Sequence, residues 1–413
     1  MVPNGWEVKP LSSITKWSSG GTPSKNNPDY WSGEIPWISA ASMRGHYFNK
    51  SELKITDLAV SNGAKMAPKD SLLLLVRGSM LWNKIPVGIA ARRVSFNQDV
   101  KCLIPHADEL TTEFLLYWFL TYEHRLMNMV TGTGIGAGKL DTTDLQGLDV
   151  FLPQLAEQRK IAQILTTWDK AIATTEKLIE TSKQQKKALM QQLLTGKKRL
   201  VNPETGKVFE GEWEEVRLDD LALYRRGSFP QPYGNPEWVD KINGYPFIQV
   251  FDIDKNMKLK SSTKTKISDA AIGKSVFIKA GTVIVSLQGS IGRVAITQYD
   301  AYVDRTVLLF QQFKRQMDTV YFAYAVQELF EIEKEKAPGG TIKTITKQVL
   351  SNFTINVPIY TEQQKIASVL TAADKEVVVL QAKLVHFKQE KKALMQQLLT
   401  GKRRVKVAET ESA

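Results

Sequence analysis

The chain has 413 residues with an ordinary share of hydrophobic side chains (43%), a formal charge of +12 and one cysteine. The length allows two to four domains, and the balance of residues is that of a globular protein with more than one core. Cys102 alone excludes an internal disulfide framework and a cysteine-based zinc site, which fits a reducing cytoplasm. The four histidines are scattered, the N-terminus has no signal-peptide pattern, and no apolar run is long enough to span a membrane. A net positive charge favours acidic partners, nucleic acid first among them.

In chain order, residues 1–152 read as a mixed α/β module. Short strands are expected at Leu72–Val76 and Val87–Ala90, and a helix at Thr112–Met129. A glycine-rich loop, TGTGIGAGK (131–139), follows. It is no phosphate-binding loop, because position 133 is threonine and Lys139 precedes leucine. NPDY (27–30) lacks the second proline of the amino-methyltransferase motif, and no glycine loop for S-adenosylmethionine precedes it. Pro28-Asp29 with Glu52-Leu53-Lys54 imitates a nuclease motif at free spacing, and the second half has no equivalent. No catalytic constellation emerges.

Residues 153–197 form a long helix with a heptad seam: Ile161, Leu165, Trp168, Ile172, Thr175, Ile179, Ser182, Leu189 and Leu193. Its middle, at Thr175 and Ser182, is polar. Residues 198–212 are rich in turn formers and read as a linker. A second mixed module covers 213–357, with strands at Thr282–Leu287, Arg293–Thr297 and Thr306–Phe310, a helix at Thr319–Lys336 and a loop at 338–343. A second long helix covers 358–402 with its seam at Ile366, Leu370, Ala373, Val377, Leu380, Leu384, Phe387, Leu394 and Leu398. A short tail, 403–413, closes the chain.

The chain is thus written twice. KKALMQQLLTGKKR (186–199) recurs as KKALMQQLLTGKRR (391–404), an offset of 205 residues with one difference in fourteen. The match continues upstream, where AEQRKIA parallels TEQQKIA. Weaker echoes join the modules: IPWI (35–38) with YPFI (245–248), and KDSLLLLVRGS with KAGTVIVSLQGS. Trp37 and Phe247, inside the first pair, read as core. Each long helix follows a proline (Pro153, Pro358) and stops at Thr-Gly.

Forty residues make a rod of about 60 Å. Two such seams in one chain are expected to pack as an antiparallel coiled coil, with the modules at opposite ends and a pseudo-twofold axis between them. The expected class is therefore α+β: two mixed α/β domains separated by two long helices. The helices also carry the charge, since segments 156–199 and 361–404 hold +6 and +5 of the total +12.

Polar loops project from the modules, and arginine, lysine, asparagine and glutamine are the side chains that read base edges. The candidate readers are Arg44, Arg77, Asn83 and Lys84 in the first module, and Arg226, Gln231, Gln249, Gln288 and Arg293 in the second. Candidate docking positions on the helices are Ile161, Leu165, Trp168, Leu189, Leu193, Ile366, Leu370, Leu394 and Leu398.

Two divergent modules alternating with near-identical helices that contain AEQRKIA/TEQQKIA and KKALMQQLLTGK resemble the specificity subunit of a Type I restriction-modification enzyme. GTPSKNNPDYW followed by IPWIS is similar to the opening of that family's target recognition domains. The resemblance covers nearly the whole chain. It implies that each module is a target recognition domain for one half of a split sequence in double-stranded DNA. It implies that the helices set the spacer and dock two modification (methyltransferase) subunits. Restriction (motor-nuclease) subunits would complete the enzyme. The cofactors S-adenosylmethionine, ATP and Mg²⁺ would sit on those partners, and this chain would catalyse nothing. A self-contained methyltransferase and a coiled-coil adaptor without DNA readout are the competing readings.

Overall fold

A computed structural model describes residues 2–134, 136–336 and 347–407. The chain divides into two compact units, Met1–Glu176 with Lys383–Ala413, and Lys177–Ala382. Each unit therefore contains one module and a stretch of both long helices. Among the described residues no helix is long and apolar enough to cross a membrane.

In the first unit a five-stranded sheet runs in the order Thr15–Ser19, Val100–Pro105, Leu72–Leu75, Val87–Ala90, Tyr47–Phe48. Its middle strand is four consecutive leucines, all buried. Burial on both faces is why that run reads as continuous rather than alternating. A second sheet has the order Lys54–Ile55, Trp31–Ile38, Val94–Phe96, Met66–Ala67. Within it Trp37 and Ile38 pair in parallel with Ser95 and Phe96.

The helix expected at Thr112–Met129 is two helices, Thr112–Thr121 and Glu123–Asn128. Thr111 caps the first by accepting the Phe114 N–H. At Tyr122 the backbone leaves the helical region, with ψ near 12°, and the redirected Glu123 accepts the Ile85 N–H at 3.0 Å.

The second unit repeats this plan. One sheet has the order Ala222–Arg226, Val307–Phe313, Val283–Ser286, Val294–Ile296, and the other Thr265–Ile267, Tyr245–Ile248, Ala301–Val303, Val276–Ile278. Phe247 and Ile248 pair in parallel with Tyr302 and Val303, as Trp37 and Ile38 do with their partners. Trp37 and Phe247 are buried, as their apolar strings require. The expected helix at Thr319–Lys336 forms with those bounds. The loop at 338–343 and the acidic end of the tail lie outside the described residues.

Each module closes on itself before its long helix begins. Glu7–Pro10 pairs antiparallel with Asp149–Leu152, and Glu214–Arg217 with Thr354–Val357. The long helices then run over Leu155–Leu193 and Tyr360–Leu398. Gly196 and Gly401, at φ 71° and 68°, supply the left-handed residue that ends each one.

Within each unit the two helical stretches are antiparallel, because ion-pair partners descend along one as they ascend the other. In the first unit Glu157 meets Arg404, Asp169 meets Lys391 and Glu176 meets Lys388, at 2.6–2.7 Å. In the second, Lys186 meets Asp374 at 2.6 Å and Arg199 meets Glu362 at 2.7 Å. The polar seam residues are satisfied locally. Thr175 donates to the Ala171 carbonyl at 2.8 Å, and Ser182 to Glu376 at 3.4 Å.

Candidate nucleic-acid interface and helix faces

The first module gathers three of its four candidate readers. Arg77 opens a two-residue strand whose partner is Lys139, and Lys139 pairs in turn with Thr131. The glycine-rich segment is thus a β-hairpin that adds to the strand carrying Arg77. A short turn, Ser79–Trp82, leads to Asn83 and Lys84, both exposed. Trp82 is half exposed, and its indole N–H donates to the Gly136 carbonyl at 3.1 Å. The hairpin, the strand it extends and the turn therefore bring together three exposed cations (Arg77, Lys84 and Lys139), an amide and an aromatic ring. Arg44 is exposed after the turn Ala40–Ser42, where it lines a cleft of about 460 Å³ with Ser39, Tyr47, Asn49 and Lys50.

In the second module three loops converge. Gln249 accepts the Thr265 hydroxyl hydrogen at 2.8 Å and donates to the Tyr233 hydroxyl at 3.4 Å, which ties it to the loop of Gln231. Arg293 donates to the Ile253 carbonyl at 3.3 Å, which ties the loop of Gln288 to residues 249–253. Gln288 and Gln231 are exposed. Arg226 is exposed at the end of its strand. Gln249 and Arg293 thus serve as braces as well as surface groups. Arg305 is not singled out by sequence, yet it is exposed and its guanidinium lies 5.2 Å from the centroid of the Tyr233 ring, whose hydroxyl accepts from Gln249. The sequence signal is slight: a polar Asp-Arg-Thr after the short strand Ala301–Val303.

Beneath these loops Asp252 is fully buried and accepts the Gln249 and Lys264 N–H groups at 2.9 and 3.0 Å. Burial pushes its carboxyl above the ordinary range against those hydrogen bonds. The NPDY segment is likewise structural. Asn27 accepts the Asp29 N–H at 3.1 Å and caps the turn Pro28–Tyr30. Among the described residues no group of three His, Cys, Asp or Glu could hold a metal ion.

The helix seams are placed differently from expectation. Ile161, Leu165 and Leu398 are buried in the core of the first unit, and Leu193, Ile366 and Leu370 in that of the second. Leu394 and Leu189 pack at the edges of those cores, and Trp168 stacks edge-on against Phe387 at 5.4 Å. The six buried side chains join module to helix and are not free to meet another chain, whereas Trp168 joins helix to helix and, like Leu189 and Leu394, keeps part of its surface open. The long-helix apolar residues left in solvent are Leu178, Val378, Val379 and Val385, the most open being Val379 at 64%.

Two buried residues at the start of each helix were not foreseen as a seat. Glu157 accepts the guanidinium of Arg404 and the indole N–H of Trp6, at 2.7 and 3.2 Å. Glu362 accepts Arg199 and Trp213 in the same way. The neighbouring Gln158 accepts the Thr111 N–H and donates to the Glu109 and Pro153 carbonyls. Gln363 accepts the Asp318 N–H and donates to the Pro358 carbonyl. The shared Glu-Gln of AEQRKIA and TEQQKIA is therefore a pair of pegs on which a module sits.

Comparison with known proteins agrees with this duplication. The model of the Type I restriction modification DNA specificity domain matches residues 3–184 and again 210–384. The Type I restriction enzyme MjaVIII specificity subunit of Methanocaldococcus jannaschii is 26% identical over 98% of this chain and 94% of its own. The crystal structure of the Type I restriction-modification S subunit from M. genitalium aligns with a TM-score of 0.56, at 14% identity over 96% of this chain and 99% of that one. The HsdS subunit from Thermoanaerobacter tengcongensis aligns at 0.52, with 18% identity over 97% and 98% of the two chains.

Proposed function

We infer the function from one premise: the chain belongs to the Type I restriction-modification DNA specificity family. It is a specificity subunit with two DNA specificity domains. Each module reads one half of a bipartite duplex target through the loops around Arg77–Lys84 and Gln231–Arg305. The long helices set the separation of the half-sites and dock two modification (methyltransferase) subunits. Restriction subunits complete the enzyme. S-adenosylmethionine, ATP and Mg²⁺ act on those partners, and this chain contributes recognition without catalysis. The observation that carries the reading is the doubling itself: two divergent modules, each matched as a specificity domain, seated on near-identical helices. Partners can then recognise the same helices whatever sequence the modules read. Leu178, Val378, Val379 and Val385 are the apolar positions available to them.

The decisive experiment maps methylated adenines in cells expressing the chain with its methyltransferase subunits. Exchanging residues 1–152 for a module of another sequence is expected to change one half of a split motif and leave the other intact. A motif that stays the same removes the half-site assignment.

The spacer follows from the helices. One added turn is about 5.4 Å of helix against about 3.4 Å of DNA per base pair. Adding one turn to one long helix is expected to lengthen the preferred spacer by about one or two base pairs. An unchanged spacer sinks the ruler.

A further inference from the structure

A second attachment recurs in both units, and the reading above does not use it. In the first unit Tyr117, on the helix Thr112–Thr121, donates its hydroxyl hydrogen to Asp169 Oδ2 at 2.8 Å and meets Thr166 Oγ1 at 3.1 Å. Asp169 belongs to the first long helix. Its other oxygen takes Lys391 Nζ, from the second long helix, at 2.6 Å. Lys391 also lies 5.3 Å from the Tyr117 ring centroid. In the second unit Tyr324, on the helix Thr319–Lys336, donates to Asp374 Oδ2 at 2.5 Å. Asp374 Oδ1 takes Lys186 Nζ at 2.6 Å, and Lys186 lies 5.4 Å from the Tyr324 ring. One tyrosine thus fastens a module helix to both long helices. Burial pushes both tyrosine hydroxyls well above their ordinary range, so each remains a donor.

The position along the helix matters. The Gln158 peg holds the helix at Thr111, its N-cap. Tyr117 lies six residues further on, about 9 Å away. The Glu157 and Gln158 contacts and the apolar core around Ile161 and Leu165 seat the module near the start of the long helix, where small rocking motions remain open to it. A second hydrogen-bonded point about 9 Å away along the helix restricts that rocking. Gln363 at Asp318 and Tyr324 six residues on reproduce the arrangement.

We propose that Tyr117 and Tyr324 are positioning residues of the DNA readers: each holds its module at one angle on the helices, and that angle sets which spacer length the assembled enzyme accepts. The proposal rests on the half-site reading. A module of this size is about 30 Å across. A tilt of about 8° at its seat moves the far edge by about 4 Å, more than the rise of one base pair.

The test uses the full-length chain in complex with its methyltransferase subunits. Duplexes carry the mapped half-sites at the natural spacing and with one base pair added or removed. Tyr117→Phe keeps the ring and loses the hydroxyl; Asp169→Asn keeps the shape and weakens both bonds. Each is expected to lower the preference for the natural spacing about tenfold while the half-site sequences stay the same. Independently of DNA, nitroxide labels at Arg93→Cys and Lys160→Cys, both exposed positions of the first unit, report the module's angle on its helix. Cys102 is buried and stays unlabelled. Both variants are expected to broaden that distance distribution. Broader distances with unchanged spacing preference, or an equal fall at all three spacings, overturn the proposal and leave the half-site reading standing. Unchanged distances in both variants overturn the clamp. A wild-type complex that methylates no split site overturns the reading beneath it, and the proposal with it.

Discussion

Arg199→Met is expected to destabilise the second unit by about 3–5 kcal/mol, because it strands a carboxylate inside the protein. Glu362 is fully buried and accepts three hydrogen bonds, two from Arg199 at 2.7 and 2.8 Å and one from Trp213 at 3.2 Å. Arg199 also donates to the Gly211 and Glu210 carbonyls and faces the Trp213 ring. Methionine fills much of the volume and supplies none of the donors. The carboxylate keeps one indole N–H, too little for a charge cut off from water. The double variant Arg199→Met with Glu362→Gln is expected to recover most of the loss, since the amide carries no charge. Arg404→Met in the first unit costs less, because Arg404 is 45% exposed and water takes over part of its role. Urea denaturation together with hydrogen exchange on the strand Glu214–Arg217 measures these differences. A loss below about 1 kcal/mol for Arg199→Met would show that the pair behaves like one on the surface.

That prediction also marks the boundary of what the residues disclose alone. The long helices are legible because their pattern is local and repeats: a seam every three or four residues, written twice at one offset. The strings AEQRKIA and TEQQKIA are equally visible, but the work of Glu157 depends on Trp6 and Arg404, 151 and 247 residues away. The seam is legible as apolar, but what each of its residues packs against is not. Ile161 and Leu370 look identical whether they face a module or another chain, and only the tertiary fold shows that each packs into the core of its own unit. Strand order was hidden for the same reason, since the parallel pairing of Trp37 with Ser95 links segments 58 residues apart. Among the candidate readers, Asn83, Lys84, Gln231 and Gln288 lie in loops as expected, Arg77 and Arg226 fall in strands, and side-chain engagement was not legible. Gln249 and Arg293 spend hydrogen bonds on neighbouring loops, while Arg305 gains its place from Tyr233.

Gly20 and Gly21 are adjacent and indistinguishable in sequence, yet alanine has opposite consequences at the two. Gly20→Ala is expected to cost about 3 kcal/mol or more, and Gly21→Ala to stay within about 0.5 kcal/mol. The reason is a crossing of the chain. The strand Thr15–Ser19 pairs with Val100–Pro105; Gly20 then donates to the Val100 carbonyl and Gly21 to the Phe96 carbonyl, so the chain transfers from one sheet to the other. A Cβ on Gly20 would stand 2.1 Å from the Asn97 oxygen and 2.3 Å from the Phe96 oxygen, both backbone atoms that no rotamer change can move. A Cβ on Gly21 would meet nothing within 4 Å. The second module makes the same transfer at Gly227, which donates to the Val307 carbonyl before Ser228 donates to that of Val303. There a Cβ would stand 2.2 Å from the Val303 oxygen. Gly227→Ala is therefore expected to match Gly20→Ala in cost, while Gly20→Ala and Gly21→Ala separate sharply in thermal denaturation of otherwise identical chains. Equal midpoints for the last two would mean that the sheets part easily at this point. The loop that carries Arg305, just past Val303, would then lack a fixed base.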